Sequence, residues 1–229
     1  MGIKAWKRKR GRITAAAMCT AVLTLPQGAA HAATASATPV LRTYLDSNWG
    51  GYVAQGSFTG ITGSWTEPHV TCGSANDLFA PWVGLDGFGS NTAEQTGVQT
   101  DCSTGVPVLS AFYEMYPGPP MYWSDPVQEG DSITASVVFN GGDSYALTLT
   151  DTTQGWTERV NKSIAGRNAS AEAVIESPSQ SYPSFSRLTF TGVTVDGQPF
   201  SNAKPLPLSS GGYTPGPLSG GSFSLTRSP

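Results

Sequence analysis

The chain has 229 residues, with 13 Lys or Arg, 16 Asp or Glu, 27 Gly and 17 Pro. Charged residues make up only 13%, about half the share found in average globular proteins, so a helical bundle with Glu- and Lys-rich faces is disfavoured. Disorder is also disfavoured, because six Trp, eight Tyr and nine Phe are spread along the chain.

The first 32 residues have the pattern of a secretory signal peptide. A basic block at residues 4–12 is followed by a mildly apolar run at 13–25 and by a small-residue cleavage pattern, Ala-His-Ala, at 30–32. A basic arm that binds nucleic acid is the alternative, but it would leave the apolar run and the cleavage pattern as coincidences. The apolar run is too short to span a membrane. We therefore expect a secreted, extracellular protein without a membrane anchor.

Removal of residues 1–32 leaves a strongly acidic protein. This segment holds six of the 13 basic residues and none of the 16 acidic ones, so 7 basic and 16 acidic residues remain, with a net charge of −9. Phosphate binding needs clustered Lys and Arg, so nucleic acid is not expected as a partner. Cys72 and Cys102 remain as a pair, and we expect them to form a disulfide in an oxidising compartment. Two free thiols are the alternative.

The rest of the sequence alternates apolar and polar residues as strands do. Residues 33–45 are predicted to be a flexible leader, and residues 201–221 are rich in Ser, Gly and Pro. The clearest hairpin has its turn, Asn-Gly-Gly-Asp, at 140–143. Short strands separated by turn residues indicate an all-β sandwich or jelly roll of antiparallel sheets, in one domain over 46–229. In chain order the predicted strands are 49–54, 60–66, 78–85, 93–99, 108–116, 132–139, 144–150, 156–161, 170–176, 187–195 and 222–227.

The candidate chemistry is limited by what the sequence lacks. After removal of residues 1–32, His69 is the only histidine, so a zinc site with two or three His ligands cannot be assembled, and no metal or other cofactor is expected. A Ser-His-Asp triad would have to use His69, which we expect to lie at the surface or in a turn. Carboxylates, amides and aromatic residues remain. They fit either a glycosidase with paired carboxylates or a peptidase in which a carboxylate activates water.

Five short motifs occur in an order that resembles a known peptidase family. Together they resemble the glutamic peptidases, or eqolisins, which are pepstatin-insensitive acid proteases, and the similarity extends over most of residues 47–200. The resemblance implies a concanavalin-like β-sandwich of two antiparallel sheets and endopeptidase activity on polypeptides at acidic pH. The motifs are Asn48-Trp49-Gly50-Gly51, Trp82-Val83-Gly84-Leu85-Asp86-Gly87, Glu94-Gln95-Thr96-Gly97-Val98, Tyr113-Glu114-Met115-Tyr116-Pro117 and Ala171-Glu172-Ala173-Val174-Ile175-Glu176.

The resemblance implies that Gln95 and Glu172 form the catalytic dyad. As a carboxylate, Glu172 would take a proton from the attacking water and return it to the leaving nitrogen. Gln95 has both an amide donor and an acceptor, so its NH₂ group can bind the oxyanion while its carbonyl orients the water. The alternative for Gln95 is a polar residue beside a turn, and that for Glu172 is a solvated strand face.

The same resemblance supplies candidates for substrate contact. Trp49 and Trp82 are expected to form apolar walls of the cleft, with core aromatic residues as the alternative. Asp86 and Glu114 lie in motifs near the dyad, where they could hydrogen-bond it or tune its ionisation. They are also the obvious carboxylates for a glycosidase. Tyr113, next to Glu114, is a further candidate.

Some positions depart from the family pattern. Glu94 stands where an apolar residue is expected in the fungal members, and Ala173 replaces a large aromatic residue. These differences indicate a divergent branch, expected to be bacterial from its signal peptide. The leading prediction is a monomeric, secreted acid endopeptidase. The alternatives are a secreted carbohydrate-binding module or glycosidase on a similar sandwich, and a catalytically dead member that acts as a binding protein.

Overall fold

The computed structural model describes residues 45–46 and 48–227. Within this part of the chain there are sixteen strands and one short 3-10 helix, Phe200–Ala203, and no helix is long and apolar enough to cross a membrane. In chain order the strands are β1 (Leu45–Asp46), β2 (Trp49–Gln55), β3 (Gly60–Thr66), β4 (Leu78–Asp86), β5 (Ala93–Asp101), β6 (Val108–Tyr116), β7 (Met121–Tyr122), β8 (Ser132–Gly141), β9 (Ser144–Asp151), β10 (Trp156–Ser163), β11 (Ser170–Glu176), β12 (Leu188–Val195), β13 (Gln198–Pro199), β14 (Leu206–Ser209), β15 (Tyr213–Pro215) and β16 (Phe223–Arg227).

The strands form two sheets. The first sheet has the order β1-β14-β2-β11-β4-β5-β6-β7, and the second has the order β10-β9-β8-β3-β12-β16-β15, with β13 paired to β12. Every described pair of neighbours is antiparallel except β1 and β14. The sheets pack face to face around one core. The β-sandwich of two antiparallel sheets that the sequence predicts is therefore confirmed.

The predicted strands are all present, with ends that differ by at most two residues. Residues 201–221, where no strand was predicted, contain β14 and β15. Both strands are too short to show alternation, although β14 pairs with β2 in the first sheet. Leu45, predicted to end the leader, lies in β1. The signal segment and the rest of the leader lie outside the described residues.

Alternate residues on each strand form the main core between the sheets. Ala171, Ala173 and Ile175 of β11 face this core, as do Ile133 and Val137 of β8. The residues between them on each strand point outward, because successive side chains of a strand alternate between its faces. Residues 170, 172, 174 and 176 of β11 therefore lie on the outer face of the first sheet.

A second apolar cluster covers the centre of that outer face. Because the residues of β11 on this side are also buried, the centre of the first sheet is screened from water on both faces. Polar groups placed here lose most of their hydration. This outer apolar cluster consists of Val53, Trp82, Phe112, Val174 and Leu208, with Trp49, Ala80 and Phe88 packed against it.

Cys72 and Cys102 form a disulfide bond, as predicted. The bond ties the segment before β4 to the residue that follows β5. The two cysteines are 30 residues apart in sequence, and closing a loop of that length contributes about 3–4 kcal/mol in the chain-entropy treatment.

The outer face of the second sheet is covered by hydroxyl groups. In one row, five register partners on five strands are Ser or Thr. Two neighbouring pairs of these hydroxyls lie 2.8 and 3.0 Å apart. Water can therefore bind to uncharged hydroxyl groups on this face. The row consists of Thr157, Thr150, Thr134, Ser64 and Thr191.

Candidate active site

Four strands of the first sheet bring the predicted dyad into one row. Glu172 of β11 is the register partner of Gly84 of β4, and Gly84 is the partner of Gln95 of β5. Gln95 is in turn the partner of Glu114 of β6. Direct partners in antiparallel strands point to the same face, so the three polar side chains share the outer face. With about 5 Å between paired strands, the Cα atoms of Glu172 and Gln95 lie about 10 Å apart.

Gly84 keeps the space between Glu172 and Gln95 free of a side chain. A Cβ added at Gly84 would lie 2.8 Å from Cζ3 of Trp82 and 3.1 Å from Cβ of Gln95. Both distances are tighter than ordinary van der Waals contact. The indole of Trp82 thus lies against this glycine, beside the row, and no larger residue fits at position 84 without moving Trp82 or Gln95.

The Glu172 carboxyl group is withdrawn from water. The residue is 0% exposed, and neither carboxyl oxygen has a hydrogen-bond partner among the described residues. Burial raises the pKa of Glu172 well above its ordinary value, and the negative charges of Asp86 and Glu94 raise it further. The Ser170 hydroxyl and the Phe88 backbone amide, which lie nearby, lower the pKa to a lesser extent. In this conformation Glu172 is protonated at acidic pH, and it does not lie on a solvated strand face.

Gln95 is held by Glu114. The Gln95 Nε2 donates a hydrogen bond of 2.6 Å to Oε2 of Glu114, and both side chains are buried. Burial raises the pKa of Glu114 to about 7, against a smaller lowering by the bond from Gln95. At acidic pH Glu114 is therefore neutral and accepts this bond as an uncharged group. The bond fixes the orientation of the Gln95 amide and leaves its carbonyl oxygen for another partner.

Asp86 anchors a loop and does not face the cleft. Its two carboxyl oxygens accept hydrogen bonds of 2.7, 2.7 and 2.8 Å from the backbone amides of residues 167–169, just before β11. Asp86 is fully buried, so the structure corrects the expectation that it contacts substrate. Its negative charge nevertheless raises the pKa of Glu172, in line with the predicted tuning role.

Tyr113 also lies away from the dyad. It belongs to the main core and packs against Trp123, with ring centroids 5.2 Å apart. The physical reason is strand alternation: Tyr113 and Glu114 are neighbours on β6, so their side chains point to opposite faces of the sheet. The expectation of a substrate contact is therefore corrected for Tyr113 as well.

Trp49 and Trp82 meet edge to face beside the row. Their ring centroids are 5.0 Å apart with an interplanar angle of 87°, a favourable aromatic arrangement. Trp82 Nε1 donates a hydrogen bond of 3.1 Å to Oε2 of Glu176. Trp82 is 1% exposed, so the two indoles help to keep water away from Glu172. Their contact with a substrate stays a prediction.

His69 lies at the surface, as expected. Its side chain is 83% exposed, and its Nδ1 lies 3.0 Å from Oε2 of Glu129. Within the described part of the chain, no group of three or more His, Cys, Asp or Glu side chains is arranged to hold a metal ion.

Several residues of the outer apolar cluster beside the row were not predicted as part of the site. Val174 and Phe112 could have been found, since each is two residues from a predicted site residue on the same strand and must share its face. Phe88 lies in the β4–β5 loop, where no periodicity reports which way a side chain points. Its place beside Glu172 depends on how the loop folds back over the sheet.

The chain is similar to known proteins in both sequence and structure. Residues 47–206 match the sequence profile of the Peptidase A4 family. Aspergillopepsin-2 of Aspergillus niger is 30% identical over 199 residues, which cover 75% of this chain and 67% of that protein. Scytalidopepsin B of Scytalidium lignicola is 34% identical over 141 residues, which cover 58% of this chain and 52% of that protein. The crystal structure of scytalido-glutamic peptidase with a transition state analog inhibitor is similar with a TM-score of 0.67 and 27% identity, covering 80% of this chain and 98% of that one.

Proposed function

The chain belongs to the Peptidase A4 family and is an endopeptidase, and we propose that it cleaves polypeptides at acidic pH with Gln95 and Glu172 as its dyad. The observation that carries this proposal is the row in which Glu172, Gly84 and Gln95 are direct register partners. Gly84 places no side chain of its own between the two functional groups, and the Trp82 indole lies against it. A similar chain, scytalido-glutamic peptidase, has been crystallised with a transition state analog inhibitor.

The chemistry follows from the two side chains. In its ionised form Glu172 takes a proton from the water that attacks the scissile carbonyl carbon, and it then gives that proton to the leaving nitrogen. Gln95 donates an N–H to the oxygen on which negative charge develops, and its carbonyl oxygen helps to orient the water. Trp49 and Trp82 are proposed as apolar walls that contact the peptide.

Secretion is part of the proposal. The signal-peptide pattern of residues 1–32 supports it, and so does the disulfide between Cys72 and Cys102, because such bonds persist mainly in oxidising compartments. The polypeptide is proposed as substrate and the protein as a monomer. A bacterial origin, expected from the signal peptide, stays a prediction.

The glycosidase alternative has no observation in its favour. It would use Asp86 and Glu114 as its carboxylates, but both Asp86 oxygens are occupied by backbone amides. Glu114 is hydrogen-bonded to Gln95.

Digestion of a denatured protein from pH 2 to 8 tests the proposed activity. We expect maximal cleavage near pH ~3–4, because a Glu172 carboxyl group that is in contact with water, and so free of the effect of burial, is partly ionised there and still able to donate a proton. Chelators, serine and thiol reagents and pepstatin should leave the activity unchanged, and so should His69→Ala. An optimum near pH 8, inhibition by EDTA or inactivity of His69→Ala would overturn the proposal.

Glu114 is expected to act as a positioning residue for Gln95. Glu114→Ala removes the acceptor that orients the amide, and we expect kcat to fall by about 10- to 100-fold with little change in KM, since small errors in placing a reacting group are costly. Glu114→Gln keeps a neutral acceptor at the same place. Below pH ~6, where Glu114 itself is neutral, it should restore most of the activity. Equal losses in the two variants would contradict this role.

A further inference from the structure

The described conformation of Glu172 does not suit a group that must activate water. A general base has to be ionised and within hydrogen-bond reach of a water molecule. Glu172 is 0% exposed, and its two oxygens are unpartnered among the described residues. If Glu172 acts as the proposed function requires, on which this inference rests, part of the surrounding structure has to move before catalysis.

The elements around Glu172 differ in how firmly they are held. The neighbouring strands β2 and β4 are paired with other strands on both of their sides, so moving Val53 or Trp82 away would break ladder hydrogen bonds. The loop of residues 87–92, between β4 and β5, is also a neighbour, and it brings the Phe88 amide close to the Glu172 carboxyl. Phe88 itself packs on the outer apolar cluster.

The loop is built in a way that allows it to move as a unit. Gly87 and Gly89 both have positive φ angles, 94° and 80°, and Asp86 just before them has a φ of 63°. The Ser90 hydroxyl bonds inside the loop, accepting from the Gly87 amide at 2.8 Å and donating to the Thr92 carbonyl at 2.7 Å. Asp86 fixes the base of the loop through its bonds to the segment before β11.

The side of the loop that faces the sheet makes apolar contacts. A Cβ added at Gly87 would lie 2.7 Å from Cη2 of Trp49, so the loop backbone rests directly on this indole. At Gly89 an added Cβ meets nothing within 4 Å, so that glycine is required by its backbone angle and not by space. The closed position of the loop therefore depends on Phe88, on Trp49 and on the left-handed conformation at Gly89.

We propose that residues 87–92 form a lid over the dyad, which in its closed position shields Glu172 from water and which must open before water and substrate can reach the carboxyl group. Opening removes the desolvation that keeps Glu172 neutral, so ionisation of the base and access of the peptide occur in the same step. The closed lid thereby suppresses activity until a substrate or a thermal fluctuation opens it.

With such a lid, the pH dependence of activity depends on the equilibrium between the closed and open forms. Only the open form ionises at low pH, so weakening the closed form tenfold lowers the apparent pKa of Glu172 by one unit and raises activity on the acid side of the optimum tenfold. The titratable groups that act on Glu172 are Asp86 on β4 and Glu94 on β5, and burial raises the pKa of Glu94 to about 8, so Glu94 is neutral in the acidic range. Strand β2 and residues 87–92 contain no charged residue, so neither of these two groups moves when the loop lifts.

A matched pair of glycine variants tests the lid. Gly89→Ala forces an alanine into a φ of 80°, and Gly105→Ala imposes the same kind of strain at a φ of 87° in the turn after β5. Neither added Cβ meets an atom within 4 Å. Strain at position 89 penalises only the closed lid, so kcat/KM below the optimum should rise about 5- to 30-fold, and the acid limb of its pH profile should move down by the logarithm of that factor, about 0.7–1.5 units. Gly105→Ala should have the same kcat/KM and the same acid limb as the wild type.

Amide hydrogen exchange provides a readout that does not depend on peptidase activity. In the wild type, residues 87–92 should exchange faster than β4 and β5, and Gly89→Ala should accelerate exchange in this loop alone. Phe88→Ala, which removes an apolar contact of the closed lid, should act in the same direction. The lid is refuted if Gly89→Ala behaves like Gly105→Ala, or if it changes kcat/KM without moving the acid limb. An inactive wild type with the expected exchange pattern would refute the peptidase proposal and leave the lid standing.

Discussion

Glu172→Gln is expected to lower kcat by about 10³-fold or more, because it removes the only proton acceptor of the proposed dyad while keeping the shape of the side chain. The folded structure should survive, since a neutral Glu172 is already accommodated without water at this position. At neutral pH the variant should be more stable than the wild type, because a buried group whose pKa is raised well above its ordinary value no longer has to ionise. Cleavage of a denatured protein at pH ~3–4 and unfolding at pH 7 measure the two effects.

Two further variants make this result specific. Gln95→Ala should lower kcat by about 10²–10³-fold, the usual effect of removing one oxyanion donor. Glu176→Gln changes a carboxyl group on the same face of the same strand, and the glutamine carbonyl can still accept the bond from Trp82, so it should keep activity within a few-fold of wild type. Near-normal activity in Glu172→Gln or Gln95→Ala would remove that residue from the dyad.

Glu67→Gln is expected to make the protein resistant to unfolding at neutral and alkaline pH. Glu67 is 1% exposed, and its Oε1 accepts a hydrogen bond from Trp65 Nε1, whereas its Oε2 has no partner among the described residues. The pKa of Glu67 is raised to about 8, mainly by burial and to a lesser extent by the nearby carboxylates of Asp131 and Asp151, against a lowering by the bond from Trp65. The glutamine keeps an acceptor for Trp65 and carries no charge at any pH.

The sign of the effect follows from proton linkage. The folded-state pKa of Glu67 lies above the unfolded value, so the folded protein binds the extra proton, and stability is fully present below pH ~4.5 and is lost as the pH rises through about 8. A shift of this size corresponds to roughly 5 kcal/mol at most, comparable with the whole stability of a small domain. Burial also raises the pKa of Glu94 to about 8 and that of Glu114 to about 7. These two groups therefore also lower the stability of the folded protein as the pH rises through a similar range.

Unfolding curves followed by tryptophan fluorescence at pH 4 and pH 8 provide the measurement. Wild type and Glu67→Gln should be alike at pH 4, and the variant should be more stable by several kcal/mol at pH 8. Glu158→Gln, on the edge strand β10, is the control and should follow the wild type at both values. Equal losses of stability between pH 4 and pH 8 in wild type and Glu67→Gln would show that Glu67 does not control the response.

The strands could be predicted from sequence because their signal is local. Alternation places Ile133 and Val137 on one face and Thr134 and Ser136 on the other, and it needs no knowledge of the partner strand. The order of the strands within each sheet does not follow from a local signal. Strand β11 lies between β2 and β4, which precede it by more than 80 residues, and nothing within a strand reports which distant segment will pair with it.

The candidate site was predictable as a set of residues and not as an arrangement. The motifs identify Gln95 and Glu172, but their common row depends on the register of two strand pairs. Alternation separates Tyr113 from Glu114 and could have excluded Tyr113. The engagement of Asp86 with three backbone amides depends on its positive φ angle of 63°, a conformation that aspartate tolerates better than most residues and that the sequence does not announce.

The hydroxyl row on the second sheet affects how the protein behaves in the solution where it is proposed to work. Near pH ~3–4 about half of the carboxyl groups are neutral, so the net charge of the chain without its signal segment falls toward zero. Proteins in that state tend to associate, because mutual repulsion has gone. Serine and threonine side chains neither gain nor lose protons across this range, so water binds to this face at pH 3 as it does at pH 8. The hydration of this face is therefore independent of the net charge of the molecule.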